Sequence, residues 1–180
     1  MACIDLEGRS ALVVGGGRIA VEKAQGLLDC GARVTVVAPD VLEELAALPV
    51  RVVRRRFRVS DVDGHLLVVA ATDDREVNRS VSNAAAARAM LCNVADDPEL
   101  CSFILPAILR RDPIVVGVST GGASPALAQR IRDDIGDVVG PEHAALARRL
   151  QALRPWARRE LATYEERRDY FAALVEEALA

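Results

Sequence analysis

Residues Ser10 to Ala20 read SALVVGGGRIA, and no other stretch limits the possible folds as much. The apolar run Ala11–Val14 predicts a buried strand. Three glycines follow, and then a helix-like segment through Cys30. Gly15-x-Gly17-x-x-Ala20 has the spacing of a dinucleotide fingerprint with a small residue in third place. In that pattern Gly15 permits the tight turn out of the strand. Gly17 removes a side chain where backbone and pyrophosphate must approach, and Ala20 lets helix and strand pack closely. The helix N-terminus offers free N–H groups and the positive end of its dipole to the anion. A glycine turn can also be purely steric, so the context matters. Gly31 suits a helix C-cap, and Arg33–Ala38 (RVTVVA) predicts a second strand. Together these close a βαβ unit of about 30 residues.

The alternation continues through the first hundred residues. After Pro39-Asp40 comes a short helix, Val41–Leu48, and then a third strand, Val50–Val59, carrying five arginines. That run of cations reads either as a solvated strand or as a surface for phosphate or carboxylate. Leu66–Ala71 is apolar throughout, as in a covered parallel strand. Thr72 and Asp73 end it and are placed to cap a helix from Asp74 to Ala89. Met90–Val94 predicts a fifth strand. The pattern then changes. Ser102–Leu109 and Ile114–Ser119 read as a hairpin about Arg110–Pro113. Ser124 and Pro125 have the character of N-cap and first helical residue, for a helix to about Ile135. Two helices, interrupted near Pro155, complete the chain from Glu142. The expected fold is therefore α/β: a Rossmann-like, doubly wound parallel sheet, then a small hairpin–helix region, then a helical C-terminal tail. The expected division is a nucleotide-binding domain over 1–101, a dimerisation region over 102–140 and a helical region over 141–180. An apolar hairpin outside the main sheet needs cover, and a twofold partner is the simplest source, so a homodimer is expected.

Composition removes several function classes. The net charge of −3 argues against nucleic acid as a partner. No run of about 18 apolar residues exists, so no membrane span is expected. The N-terminus lacks a basic segment followed by an apolar one, which makes the cytoplasm the default location. Cys3, Cys30, Cys92 and Cys101 form no CxxC pair and read as reduced thiols, and His65 and His143 are the only histidines. No resident metal site is expected.

Ligands in open α/β sheets bind beyond the carboxyl ends of the strands. Four segments should meet there: Gly15–Ile19, Ala38–Asp40, Ala71–Asp74 and Asn93–Asp97. Asp40 lies 23 residues after Gly17 and is placed either to accept ribose hydroxyls or to cap the next helix. No arginine directly follows the second strand, which favours NAD over NADP. Asp96 and Asp97 supply a candidate general base, or else loop caps around Pro98. The turn Ser119-Thr120-Gly121-Gly122 reads as an anion site with two hydroxyl donors, or as a tight turn.

Five blocks carry a wider resemblance: VVGGGRIAVEKA, LLDCGARVTVVAP, AATDDREVN, LCNVADDPELCSFILPAILRR and VGVSTGGASPALAQRIR. In this order they resemble the siroheme synthase N-terminal family, whose members are precorrin-2 dehydrogenases, some of them also sirohydrochlorin ferrochelatases. The resemblance covers about residues 2 to 135. It implies that precorrin-2, a reduced tetrapyrrole with eight carboxylates, gives a hydride to NAD⁺ and loses a proton to yield sirohydrochlorin. In bifunctional members the same cleft inserts ferrous iron, a substrate, to give siroheme. The family's essential aspartate falls at Asp96. Gly15, Gly16, Gly17, Arg18 and Ile19 would contact the cofactor, with Pro39 and Asp40 near the adenosine ribose and Thr72 on the nicotinamide side. Ser119, Thr120, Gly121 and Gly122 would face substrate. The family is dimeric, with contacts exchanged after the nucleotide domain. No S-adenosylmethionine chemistry is expected of these 180 residues. The rival expectation is a non-catalytic NAD-sensing module.

Overall fold

The computed structural model describes residues 3–179, which divide into two compact units, one ending at Leu105 and one starting at Pro106. The first is a five-stranded parallel sheet. Its strands are β1 (Ser10–Val14), β2 (Arg33–Ala38), β3 (Arg51–Arg54), β4 (Leu67–Ala70) and β5 (Leu91–Val94). Their order across the sheet is β3-β2-β1-β4-β5, all parallel. Val13 at the centre pairs with Val36 on one side and Val69 on the other.

Both faces of this sheet are covered, which is why its strands are nearly uniformly apolar. Ala11, Val13, Val34, Val36, Leu67 and Val69 pack on one face against Ala20, Ala24 and Leu27 of α1 (Arg18–Leu28). The intervening residues Leu12, Val14, Val37, Val68, Ala70, Cys92 and Val94 pack on the other against Val81, Ala84 and Ala85 of α3 (Arg75–Ala86). The period of two along each strand separates two cores. Helices switch face between the β1 and β4 connections, so the topological switch point lies between those strands, and a ligand crevice opens there.

The doubly wound expectation is met, with four local corrections. Strand β3 stops at Arg54 and does not run to Val59. Arg55 leaves the sheet to hold Asp61 through two hydrogen bonds, at 2.6 and 2.7 Å, and Val59–Val62 forms a 3₁₀ turn. Helix α2 is a single turn, Glu43–Ala46, with Leu42 at its N-cap. Helix α3 is capped by Asp74, whose carboxylate accepts the Glu76 and Val77 N–H groups, and not by Thr72 or Asp73. The first hairpin strand starts at Ala107, because Cys101–Phe103 is used elsewhere. Ser102 exchanges bonds with Cys92, and Phe103 accepts from Asn93 Nδ2 at 3.0 Å. These residues cover the open edge of β5, a row of backbone groups that would otherwise invite another strand.

The second unit pairs β6 (Ala107–Arg111) with β7 (Ile114–Val118) in an antiparallel hairpin. Helix α4 (Pro125–Val138) packs on both strands. Ser124 caps it, accepting from the Leu127 N–H, and Pro125 follows as expected. Helix α5 (Pro141–Glu160) runs through Pro155, contrary to the expected break there. The chain bends instead at Leu161–Thr163, because Thr163 and Glu166 cap α6 (Tyr164–Leu179) reciprocally, at 3.0 and 3.1 Å. That T-x-x-E capping box is a stronger stop-and-start signal than the proline. No helix among the described residues is long and apolar enough to cross a membrane.

Candidate functional site

A cleft of about 610 Å³ lies across the carboxyl ends of the first unit's strands. Its lining follows strand order. Arg56 and Phe57 come after β3, Pro39 and Asp40 after β2, and Gly15–Ile19 after β1. Thr72–Asp74 come after β4, and Ala95 and Asp96 after β5. A ligand whose middle rested on the glycine turn would reach Asp40 and Arg56 with one end and Asp96 with the other.

The three glycines have separate duties. Gly15 has φ +128, and a Cβ on it would collide with the Ala71 carbonyl. Gly15 N–H donates to Val37 O at 3.0 Å, and Ala71 N–H to Val14 O at 2.7 Å, so three strand ends meet at this turn. A Cβ on Gly16 would strike the Asp40 carbonyl, and Gly16 O accepts the Leu42 N–H at 3.0 Å. Gly15 and Gly16 are therefore fixed by the protein's own packing. Gly17, the N-cap of α1, has only open space where its side chain would be. Its surroundings require no glycine, whereas an anion seated on the α1 N–H groups would. No side chain caps α1. The turn thus fits the pyrophosphate of a dinucleotide. Ala20, fully buried against the sheet, keeps the helix close.

The other candidates fall on the same cleft. Arg18 and Ile19 are exposed at the start of α1. Asp40 is exposed and does not cap α2, which removes one of the two roles its position allowed. Thr72 is held in place: its hydroxyl lies 2.8 Å from Asn78 Oδ1, and its carbonyl accepts from Asn78 Nδ2 at 2.8 Å. Asn78 is itself buried. Asp96 is exposed at the cleft margin, in left-handed backbone at φ +60, inside the turn that Asp97 N–H closes on Val94 O. Beneath that turn, Cys101 Sγ accepts the Val94 N–H at 3.1 Å and lies 3.3 Å from the carbonyls of Val94 and Asp97. Burial, then the adjacent Cys101, pushes the Cys92 thiol up to about 11, so it stays protonated. Among the described residues no group of three or more His, Cys, Asp or Glu is arranged to hold a metal ion.

Ser119, Thr120, Gly121 and Gly122 belong to the second unit. Gly121 N–H donates to Ser119 Oγ at 3.2 Å, and Thr120 Oγ1 exchanges bonds with Ser124, so both hydroxyls brace the turn that leads into α4. Gly121 and Gly122 both take positive φ with open space around them. Arg56 and Phe57 are cleft residues that the sequence reading did not single out from the arginine run, which it read either as a solvated strand or as a surface for phosphate or carboxylate.

Comparison with known proteins agrees with this geometry. Residues 2–107 match the family model described as "Putative NAD(P)-binding", and residues 111–137 match "Sirohaem biosynthesis protein central". The siroheme synthase of Thioalkalivibrio sulfidiphilus is 42% identical over 175 residues, covering 95% of this chain. That of Methylococcus capsulatus is 41% identical over 177 residues, covering 96%. The chain spans only 36% and 37% of the length of these two relatives. A solved structure titled "SirC, precorrin-2 dehydrogenase" superposes with a TM-score of 0.82 at 30% identity, covering 100% of this chain and 92% of that one.

Proposed function

The chain belongs to the siroheme synthase and precorrin-2 dehydrogenase family, and from that premise we propose that it oxidises precorrin-2 to sirohydrochlorin with NAD⁺. The observation that carries the reading is the order of groups along the cleft: Asp40, the glycine turn, Thr72 and Asp96 stand in line on the tips of β2, β1, β4 and β5. A dinucleotide with its pyrophosphate on Gly17 and the α1 N-terminus reaches the β4–β5 side with its nicotinamide end. NAD⁺ supplies the hydride acceptor there.

The protein's own contribution is binding, orientation and proton removal. The α1 N–H groups neutralise the pyrophosphate. Thr72, fixed by Asn78, orients the nicotinamide-side ribose. Asp96 accepts the proton that precorrin-2 loses as its hydride leaves, and its exposure lets that proton pass to water. A positioned carboxylate in this role contributes about 10²–10⁴-fold in rate. The turn Ser119–Gly122 is the part of this reading that receives substrate carboxylates, with open space where side chains on its two positive-φ glycines would stand. A homodimer is part of this reading. Among the described residues of the second unit only Ala128, Ala144 and Ala157 are buried, while Val115, Leu127, Ile131 and Val138 are exposed, an apolar surface that a second copy would cover. Ferrous iron insertion into the product would call on Asp96 again, as acceptor for the pyrrole protons.

Protein mixed with precorrin-2 and NAD⁺ should produce NADH together with the spectral change of the macrocycle. Absence of NADH above the protein-free control would reject the oxidation. Tight NAD⁺ binding that tetrapyrrole leaves unaltered would identify a sensing module instead. Conversion of sirohydrochlorin with Fe²⁺ and no nucleotide tests the insertion step separately.

A further inference from the structure

The sequence contains no arginine directly after β2, but the fold brings one to the same place from β3. Ala38 and Arg54 are register partners at the ends of those strands. Asp40 and Arg56 each lie two residues beyond that pair, and both line the adenosine end of the cleft. Neither side chain has a hydrogen-bond or ion-pair partner among the described residues, and both are exposed.

Arg56 is carried by a braced loop. Arg55 forks onto Asp61 and also donates to Arg56 O at 3.0 Å, while Asp61 accepts the Arg58 N–H at 2.8 Å. Phe57 packs against the core face that includes Val62. Asp61 therefore holds the loop directly at the Arg58 N–H and, through the Arg55 guanidinium, at the Arg56 carbonyl, and of this loop's arginines at 55 and 56 only the second is left for a ligand.

Resting on the dinucleotide reading above, we propose that Asp40 and Arg56 together select the dinucleotide at the ribose 2′ position. Asp40 accepts the two hydroxyls of an unmodified adenosine ribose and repels a 2′-phosphate. Arg56 is the cation that a 2′-phosphate meets, since a guanidinium matches phosphate oxygens two at a time. The cleft thus contains a 2′-phosphate site held shut by one carboxylate, and discrimination comes as much from the repulsive group as from the attractive one.

Titration of NAD⁺ and NADP⁺ onto the whole chain by calorimetry tests this without turnover. The unaltered protein binds NAD⁺ more tightly than NADP⁺. Asp40→Asn should tighten NADP⁺ about tenfold, which is about 1.4 kcal/mol, and weaken NAD⁺ severalfold. Arg56→Ala should leave NAD⁺ within about twofold and weaken NADP⁺ about tenfold. In the double variant the NADP⁺ gain of Asp40→Asn should disappear. Arg18→Ala separates the competing cation: at the pyrophosphate, its loss should weaken both nucleotides alike. Survival of the NADP⁺ gain without Arg56, or its loss with Arg18→Ala alone, overturns the assignment to Arg56. If NAD⁺ binds normally and no Arg56 variant alters the ratio, this inference alone falls. If neither nucleotide binds the unaltered protein, the dinucleotide reading falls and this inference with it.

Discussion

The carbonyl oxygen of Ala71 occupies the place that a side chain on Gly15 would need. Two strand ends, β1 and β4, approach this closely only because position 15 has no Cβ and takes φ +128. The crevice is thus built by backbone packing, independently of any ligand.

Gly15→Ala should therefore damage the fold, and Gly17→Ala only the binding. At Gly15 the opposing atom is backbone and cannot yield, and a side chain at that φ is strained by about 1–3 kcal/mol before the collision is added. Urea denaturation should show a loss of about 2–4 kcal/mol. At Gly17 a methyl meets nothing. The cost there is the poorer N-cap, about 1 kcal/mol. Gly17→Ala should remain folded and lose NAD⁺ affinity in titration. Equal stability losses at the two positions would contradict this division of labour.

Asp61 gives a pH-dependent signature. Its hydrogen bonds from Arg55 hold its carboxyl below the usual carboxylate range. A carboxyl with a lowered folded pKa stabilises fully above its ordinary value near 3.9, and the stabilisation disappears as pH falls through the lowered value. Asp61→Asn should cost about 1.5–3 kcal/mol at pH 7, the range for hydrogen bonds to a charged group. The gap between variant and wild type should hold constant above the ordinary carboxylate value and shrink progressively as urea unfolding is repeated at lower and lower pH. A gap that stays constant with pH would assign the effect to shape rather than charge.

Cys101 supports the turn that carries Asp96. Val94 is buried, and its N–H has Cys101 Sγ as acceptor at 3.1 Å. Cys101→Ala leaves that N–H unpaired, at about 1–3 kcal/mol. Cys101→Ser keeps both an acceptor and a donor and should recover most of the loss. Thermal unfolding measures stability. In steady-state kinetics the alanine variant should lower kcat with KM for NAD⁺ unchanged, because the disturbed turn is at the far end of the cleft from the adenosine. A higher KM with kcat preserved would rule out a role in positioning Asp96.

How much of this was legible in the sequence varied with the range of the interactions involved. The two βαβ halves, the glycine turn and the Ser124–Pro125 helix start are local patterns, and periodicity and spacing revealed them. The end of β3 was not readable, because it is set by Arg55 reaching Asp61 across a turn, a pairing no strand pattern encodes. Ser102 and Phe103 read as the start of a strand to Leu109 because Phe103 does pack against the core, but the two residues serve as an edge cover for β5. Arg56 was hidden as one of five arginines in a run that periodicity cannot tell apart. Only the register of β2 against β3 separates it from the rest.

Asp96 offers the sharpest test of the proposed chemistry, because its backbone dictates which substitution is clean. At φ +60 asparagine is tolerated well, whereas alanine there adds strain unrelated to charge. Asp96→Asn keeps shape and turn while removing the proton acceptor. Asp96 is exposed and makes no hydrogen bond through its carboxylate among the described residues, so stability should stay within about 0.5 kcal/mol. NAD⁺ affinity should change less than about twofold, since neutralising a carboxylate at the far end of the cleft removes no contact to the pyrophosphate or the adenosine. Turnover of precorrin-2 should fall by about 10²-fold or more, the contribution of a positioned general base. A small residual rate that rises with added carboxylate buffer would mark a missing proton acceptor. Turnover near the wild-type rate, with the protein folded and NAD⁺ bound, would take Asp96 out of the reaction and leave proton removal to another group along the cleft.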